Sequence, residues 1–208
     1  MEFKNYKIIK NFLKPDEKYL VIDWINSIKI NQSITNHHIK EVRKSLNGNS
    51  YMFDISKTFE TKHIGKYQSS NNIIDQDIPQ VIQNLIDRIS ESIKISKNKV
   101  LLQAIQMESG GKVNPHYDSS ISGFINYKCN ISVLSDSYKF YVDKDLINVD
   151  EGDLYCFEAS LYKHWSDIFN SKRILLSFGF ILPYGELGRN IEDPRVRLSE
   201  RIQKYFQK

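Results

Sequence analysis

The spacing of apolar residues changes at about residue 99 and divides the chain into two halves. Before this point, two segments carry apolar residues every three or four positions, which is typical of amphipathic helices. The first spans residues 15–28, with Pro15 and two acids in its first turn. The second spans residues 77–95, with a stripe formed by Ile78, Val81, Ile82, Leu85, Ile86, Ile89 and Ile93. The front half therefore predicts two helices, preceded by an edge strand in "YKIIKNFL" and separated by a polar, turn-rich stretch over residues 33–75.

After Lys99 the apolar period becomes two, which indicates β-strands. The strand-like segments are "KVLLQAIQM", "VNPHYDS", "KCNISVLS", "YKFYV", "DLYCFE" and "KRILLSFGFIL", separated by turn residues such as Gly110-Gly111. Six or more short strands without an intervening helix predict an antiparallel jelly-roll barrel or sandwich, with the helices on the outer face of one sheet. The fold class is thus α+β and mostly β. Residues 184–208 predict a C-terminal tail helix.

Composition adds few constraints to this picture. The 208 residues are 40% hydrophobic and 26% charged, which predicts one globular domain over residues 1–208. The formal charge of +4 allows an anionic partner without requiring one. Cys129 and Cys156 lie in apolar strands and are expected to be buried free thiols. The charged first residues and the lack of a long apolar segment predict a cytoplasmic protein without membrane contact.

The segment "GGKVNPHYDSS" contains one of only five histidines, His116, two positions before Asp118. On a β-strand, residues i and i+2 point to the same face, so these two side chains could hold one object between them. The object could be a proton, a hydrogen-bonded water or a metal ion, or the pair could be a surface hydrogen bond. The H-x-D pattern alone does not decide between these readings.

Two later residues favour a metal. His164 follows a strand and a short polar loop, and Arg173 begins an otherwise apolar strand, where a buried charge is expensive unless an anion meets it. Two imidazoles and one carboxylate on one side of a metal ion leave three coordination positions open, as in non-haem Fe(II) oxygenases. The open positions suit a 2-oxo acid and dioxygen. The charges of Fe(II), Asp118, 2-oxoglutarate and Arg173 would sum to zero, and Arg offers a planar fork to a carboxylate.

From about residue 99 to residue 183, the chain resembles the Fe(II)/2-oxoglutarate-dependent dioxygenase superfamily. The resemblance lies in the order Gly-Gly, "HYD", a strand pair, "EGDLYCFEAS", His164 and "RILLSF". It implies a double-stranded β-helix core over residues 99–183, supported by residues 1–98. It also implies that His116, Asp118 and His164 bind iron and that Arg173 binds the far carboxylate of the oxo acid.

The interval between His164 and Arg173 resembles the prolyl-hydroxylase-like branch, as does the opening "NFLKPDEKYLVIDWI". The AlkB-like branch is less similar, because the strand before the glycines lacks its Asn and Tyr, and Gly179 stands where a second Arg would be. Gln106 occupies the position where the prolyl-hydroxylase-like branch has Tyr, and its amide could donate to the oxo acid. Tyr127, Asn130 and Ser177 are further candidates for contacts with this co-substrate.

The resemblance implies hydroxylation of a C–H bond in an amino acid, small metabolite or peptide side chain, with Fe(II), 2-oxoglutarate and O2 consumed and succinate and CO2 released. An AlkB-like oxidative demethylase of nucleic acid is the alternative, and a ligand-binding barrel without turnover is a third. The substrate is expected at the barrel mouth, bordered by residues 37–66 and the loop after Asp118. His37 and His38 within this border are read as solvent-exposed residues. The sequence does not indicate the oligomeric state.

Overall fold

The computed structural model describes residues 5–30, 46–47, 50–54, 78–107, 109–190 and 192–197. Its helices are α1 (Pro15–Ile30), α2 (Gln80–Ile93) and a short 3-10 helix (Tyr184–Leu187). Its strands are β1 (Tyr6–Ile9), β2 (Leu46–Asn47), β3 (Ser50–Asp54), β4 (Val100–Met107), β5 (Lys112–Val113), β6 (Phe124–Leu134), β7 (Tyr138–Val142), β8 (Asp145–Val149), β9 (Leu154–Glu158), β10 (His164–Ser166) and β11 (Arg173–Pro183).

The strands form two main antiparallel sheets. The larger sheet has six strands in the order β1-β9-β6-β11-β4-β3, and the smaller has three in the order β10-β7-β8. A two-stranded ribbon joins β2 and β5. Crossovers between non-consecutive strands are typical of a jelly roll. The predicted mostly-β jelly-roll class is confirmed, although the described strands make separate sheets and not one closed barrel.

Both helices pack on the outer face of the six-stranded sheet. Alternate residues of β11, such as Leu176 and Phe178, meet Val21 and Ile25 of α1 and Leu85 of α2 in one buried apolar core. Cys129 and Cys156 are free, buried and directly opposite each other in this core. The apolar stripes of the two helices therefore face the apolar side of the sheet, and the predicted position of the helices is confirmed.

The opposite face of the larger sheet lines a second core, toward the three-stranded sheet. Phe140 and Ile147 of the smaller sheet pack there with Tyr155, Phe157 and Leu175 of the larger one. Because side chains alternate along a strand, the polar residues that share this inner face are held between two apolar layers. This is the face on which the candidate site lies.

The sequence-based boundaries differ from the structure in three places. The predicted strand over "VNPHYDS" is reduced to β5 and an isolated bridge at His116. Strands β8 and β10 were not predicted, since β10 has only three residues and β8 exposes an apolar Leu146. In the predicted tail helix, residues 194–197 are helical. His37 and His38 lie outside the described residues, and the single-domain division stays a prediction.

None of the helices that the structure describes is long and apolar enough to cross a membrane.

Candidate metal centre

His116, Asp118 and His164 come together although 45 intervening residues separate Asp118 from the second histidine in "GDLYCFEASLYKHW". His116 and His164 form a bridge in which each backbone N–H donates to the other residue's carbonyl, at 3.1 and 3.0 Å. The backbone N–H of Asp118 donates to the carbonyl of Ala159 at 3.0 Å. Backbone hydrogen bonds therefore fix the segment of His116 and Asp118 against Ala159 and His164. One potential ligand atom from each residue lies within 4.8 Å of the others.

The two imidazoles are oriented by their Nδ1 atoms. Nδ1 of His116 is 2.7 Å from the carbonyl of Asn114, and Nδ1 of His164 is 3.1 Å from the carbonyl of Tyr162. A carbonyl only accepts, so Nδ1 carries the proton and Nε2 keeps its lone pair. Both Nε2 atoms face Oδ1 of Asp118, at 3.2 and 3.5 Å. The hydrogen bonds from Nδ1 to backbone carbonyls are of the kind that orient metal-binding histidines.

The charges of the cluster favour a carboxylate anion beside neutral imidazole. Burial raises the pKa of Asp118, but the ammonium of Lys128 and the contacts with both imidazoles outweigh it and hold that pKa well below its ordinary value. Burial, together with the neighbouring His116, lowers the pKa of His164 although Asp118 raises it. Burial also lowers the pKa of His116, which is half-exposed, but there Asp118 prevails and the pKa is raised. Asp118 and His164 are thus in the protonation states that metal binding requires.

Arg173 is 1% exposed at the start of β11. Its guanidinium lies between the rings of Tyr138 and Phe169, with its central carbon 4.2 and 4.6 Å from their centroids. Its Nη2 donates to the hydroxyls of Tyr138 and Tyr155, at 2.6 and 2.8 Å. Within the described parts of the chain, no carboxylate pairs with this charge and its Nε has no hydrogen-bond partner. Burying a cation without an anionic partner costs free energy, and an anionic ligand beside Arg173 would offset that cost.

One cavity of about 290 Å³ connects the His-Asp-His cluster with Arg173. Of the other residues predicted to contact a co-substrate, Asn130 and Ser177 line this cavity and are buried cross-strand neighbours. The side-chain oxygen of each has no hydrogen-bond partner among the residues described. Polar atoms that are buried and unpaired in a cavity wall are suited to a polar ligand.

Gln106 and Tyr127 do not line the cavity, which corrects the expectation for both. Along β4, Ala104 packs in the core beneath the helices and Ile105 lines the cavity, so Gln106 falls on the helix side. Tyr127 packs against that same core. The error is one residue of strand phase, because adjacent side chains on a strand face opposite sides of the sheet.

The structure adds residues that the sequence did not single out. Lys128 lines the cavity and its Nζ lies 2.8 Å from Oδ2 of Asp118 and 3.1 Å from Oε1 of Gln103. The hydroxyls of Tyr138 and Tyr155 bind Arg173. A sequence signal existed for Lys128, a single charge between apolar positions of β6, which is the same signal that identified Arg173 on β11.

No family model and no characterised protein sequence matches this chain. Solved structures do match its fold, at low sequence identity. A viral collagen prolyl hydroxylase from Paramecium Bursaria Chlorella virus-1, solved as a 2OG complex, is 14% identical with a TM-score of 0.54, over 86% of this chain and 97% of that one. OsALKBH1 is 15% identical with a TM-score of 0.59, over 86% and 98%. A prolyl hydroxylase from Trichoplax adhaerens, in complex with a hypoxia inducible factor peptide fragment, is 11% identical with a TM-score of 0.51, over 89% and 88%.

These neighbours share the jelly-roll fold of the chain. The fold together with the His-Asp-His cluster defines a jelly-roll protein with a candidate metal centre where its two sheets meet.

Proposed function

We propose that this protein is a non-haem Fe(II)/2-oxoglutarate-dependent oxygenase that hydroxylates a C–H bond of an amino acid, small metabolite or peptide side chain. The observation that carries the proposal is that one cavity holds both a His-Asp-His cluster and a buried guanidinium that faces no carboxylate of the described chain. Iron with a 2-oxo acid would supply oxidation of a C–H bond by dioxygen, with release of succinate and CO2.

The residues of the cluster fit Fe(II). Nε2 of His116, Nε2 of His164 and one oxygen of Asp118 would hold the ion, and the backbone carbonyls of Asn114 and Tyr162 keep both imidazoles in the required tautomer. Two nitrogens and one carboxylate oxygen on one side leave room for a bidentate co-substrate.

Arg173 fits the distal carboxylate of 2-oxoglutarate. Its guanidinium would form charge-assisted hydrogen bonds to that group, and Tyr138 and Tyr155 hold the guanidinium in place. Asn130 and Ser177 would supply further hydrogen bonds along the cavity wall. Phe140, Phe157 and Leu175 line the remaining wall and limit the entry of water.

The neighbours support the class of reaction more than the choice of substrate. Two of them are named prolyl hydroxylases, one in complex with 2OG and one with a peptide fragment. OsALKBH1 has a comparable TM-score. The alternative of nucleic-acid demethylation has no support in the described residues beyond this shared fold, and hydroxylation remains our proposal.

The proposal is tested by binding, which needs no knowledge of the substrate. Purified protein is titrated with Mn(II), and then with 2-oxoglutarate, in the absence of oxygen, for the wild type and for His116→Ala and Asp118→Ala. We expect one Mn(II) per chain in the wild type, loss of Mn(II) binding in both variants, and binding of 2-oxoglutarate that requires the metal. Asp16→Ala, which removes an exposed carboxylate of α1, is the control and should bind like the wild type. Equal Mn(II) affinity in wild type and Asp118→Ala would refute the proposed metal site.

A further inference from the structure

We infer that the substrate of this oxygenase carries a carboxylate, which is bound by Lys128 inside the cavity. The inference rests on the proposed function and deepens it. It concerns a residue for which neither the sequence pattern nor the iron site gives a role.

The position of Lys128 is unusual for a lysine. Its side chain is only 16% exposed, and β6 directs it onto the inner face of the sheet between Asn126 and Asn130. These three residues form a polar row along the strand, and all three line the cavity. Asn126 is buried, and its Oδ1 is unpaired within the described chain. A row of this kind inside an apolar core is suited to a polar ligand.

A role limited to holding Asp118 does not account for a lysine here. The two oxygens of Asp118 have separate partners, since both imidazoles face Oδ1 and Lys128 faces Oδ2. A divalent cation on the Oδ1 side would neutralise the carboxylate without help. The ammonium beside it would then repel the metal, so Lys128 would weaken the metal site unless a further anion bound close by.

The charges of the cavity favour a monoanion. Among the residues that the structure describes, those that line the cavity and carry a charge are Asp118, Lys128 and Arg173. With a divalent metal and the dianionic oxo acid bound, the site has a net charge of one positive unit, and a single carboxylate on the substrate would bring it to zero. A dianion would leave the site negative, so a phosphate monoester is disfavoured.

The geometry of the ammonium also suits a ligand. A lysine ammonium has three N–H donors, of which the described contacts use one to Asp118 and one to Oε1 of Gln103. The third can donate to a ligand in the cavity. Gly179 pairs with Lys128 on β11, and a Cβ there would lie 2.9 Å from Oδ1 of Asn126, so a larger residue at position 179 would displace the amide beside Lys128.

The test uses small probes on protein loaded with Mn(II) and saturated with 2-oxoglutarate under anaerobic conditions. The probes are acetate, its neutral isostere acetamide, and dimethyl phosphate, a monoanion that represents a nucleic-acid backbone. Proton relaxation caused by Mn(II) reports whether a probe binds near the metal. Lys128→Met removes the charge and keeps the chain length, and Lys144→Met, at an exposed turn, is the matched control.

We expect acetate to bind the wild type and Lys144→Met more tightly than acetamide or dimethyl phosphate does. Lys128→Met should weaken acetate binding at least about tenfold, the loss expected for a hydrogen bond to a charged group. Its Mn(II) affinity should stay equal to the wild type or increase, because a positive charge has been removed beside the ion.

Three results would overturn the inference. Acetate bound no better than acetamide, or equally by Lys128→Met, would exclude a carboxylate site at this lysine. Tighter binding of dimethyl phosphate would assign the site to a phosphodiester. Weaker Mn(II) binding by Lys128→Met with acetate binding unchanged would make Lys128 a positioning residue for Asp118. All three presuppose binding of Mn(II) and 2-oxoglutarate, so failure of that first step would contradict the proposed function itself.

Discussion

At the residue scale, Arg173 links the fold to the proposed chemistry. Two aromatic rings and two tyrosine hydroxyls surround its guanidinium, and these neutral groups orient the charge without cancelling it. The protein therefore keeps a preorganised cation in its interior. Such an arrangement favours an anion of matching shape, because the orientation of the fork does not change when the ligand binds.

Replacing Arg173 should weaken the binding of 2-oxoglutarate more than that of the metal. Arg173→Leu removes one partner of a buried charge pair, which costs about 2–5 kcal/mol and predicts a dissociation constant raised at least about thirtyfold. Arg173→Lys keeps the charge but loses the fork, so we expect an intermediate value. Isothermal titration of each variant first with Mn(II), and then of the Mn(II)-loaded protein with 2-oxoglutarate, measures the dissociation constants of the metal and of the co-substrate. An unchanged 2-oxoglutarate affinity in Arg173→Leu would assign this residue a structural role.

Tyr155 is expected to act through Arg173 as a positioning residue. Tyr155→Phe removes one acceptor of the guanidinium, so we predict that the dissociation constant of 2-oxoglutarate rises about three- to tenfold, equivalent to about 1 kcal/mol, while Mn(II) affinity is unchanged. Tyr127→Phe is the matched control, because that side chain packs on the helix side of the same sheet. A similar effect in both variants would mean that sheet stability, and not the position of Arg173, is responsible.

Some candidate site residues could be predicted from the local sequence pattern, and others were selected only by their place in the family resemblance. His116 and Asp118 could be selected because residues i and i+2 of a strand share a face, His164 because it follows a strand and a short polar loop, and Arg173 because a lone charge in an apolar strand needs a partner. Gln106 was selected by its place in the resemblance, and such alignment does not fix the phase of a strand. Once the phase is wrong by one residue, the side chain falls on the other face of the sheet. Strand phase depends on pairing between distant segments, which the local pattern does not contain.

At the element scale, one ion pair fastens the two helices to each other. Arg88 of α2 donates from both terminal nitrogens to the two carboxylate oxygens of Glu17 in α1, each at 2.8 Å. Glu17 also accepts the backbone N–H of Lys14 at 3.0 Å, which closes the start of α1 as in a capping box. Arg88 further donates to the carbonyl of Phe12 and lies over its ring. The pair thus joins α2 to the entry of α1.

The stability contributed by Glu17 should depend on pH. Hydrogen bonds from Arg88 lower the pKa of Glu17 below its ordinary 4.5, against the effect of burial. The contribution is therefore complete above the unfolded pKa and is lost as the pH falls through the lower, folded pKa. We predict that Glu17→Gln lowers the free energy of unfolding by about 1–2 kcal/mol at neutral pH and by less in acid.

Urea unfolding of wild type and Glu17→Gln at about pH 7 and about pH 3 measures this difference, which should shrink at the lower pH. Asp16→Asn is the control, since it removes a neighbouring exposed acid in the same first turn. A difference that is independent of pH would show that the Glu17 charge does not contribute.

Elements long enough to contain several repeats of their apolar period could be predicted, and short elements could not. Helix α2 and strands β4 and β11 contain enough residues for their periods to stand out, and the structure places each within a few residues of its predicted bounds. Strand β10 has three residues and is defined by its pairing with β7. His164 starts this strand, so its place beside His116 follows from a tertiary contact that no local pattern records.

At the scale of the whole molecule, the candidate metal centre lies where the two sheets meet. His164 begins β10 of the three-stranded sheet, and its backbone pairs with His116 in the segment that follows β5. Phe140 and Phe157, one from each sheet, have ring centroids 6.1 and 4.7 Å from that of His164. An ion held by these residues would strengthen the link between the two sheets that the backbone bridge of His116 and His164 begins. Metal binding should therefore report on the folded state of the whole jelly roll.

We predict that Mn(II) raises the thermal stability of the protein because an unfolded chain does not bring the three ligands together. Ligand at a hundredfold excess over its dissociation constant stabilises the native state by about 2.7 kcal/mol, which corresponds to a Tm increase of about 5–10 °C for a chain of this length. The increase should be reversed by a chelator and absent in Asp118→Ala. In that variant Lys128 also loses its carboxylate partner, so its Tm without metal serves as the reference. An equal increase in Asp118→Ala would place the stabilising ion elsewhere, and the His-Asp-His cluster would then be a hydrogen-bonded structural group.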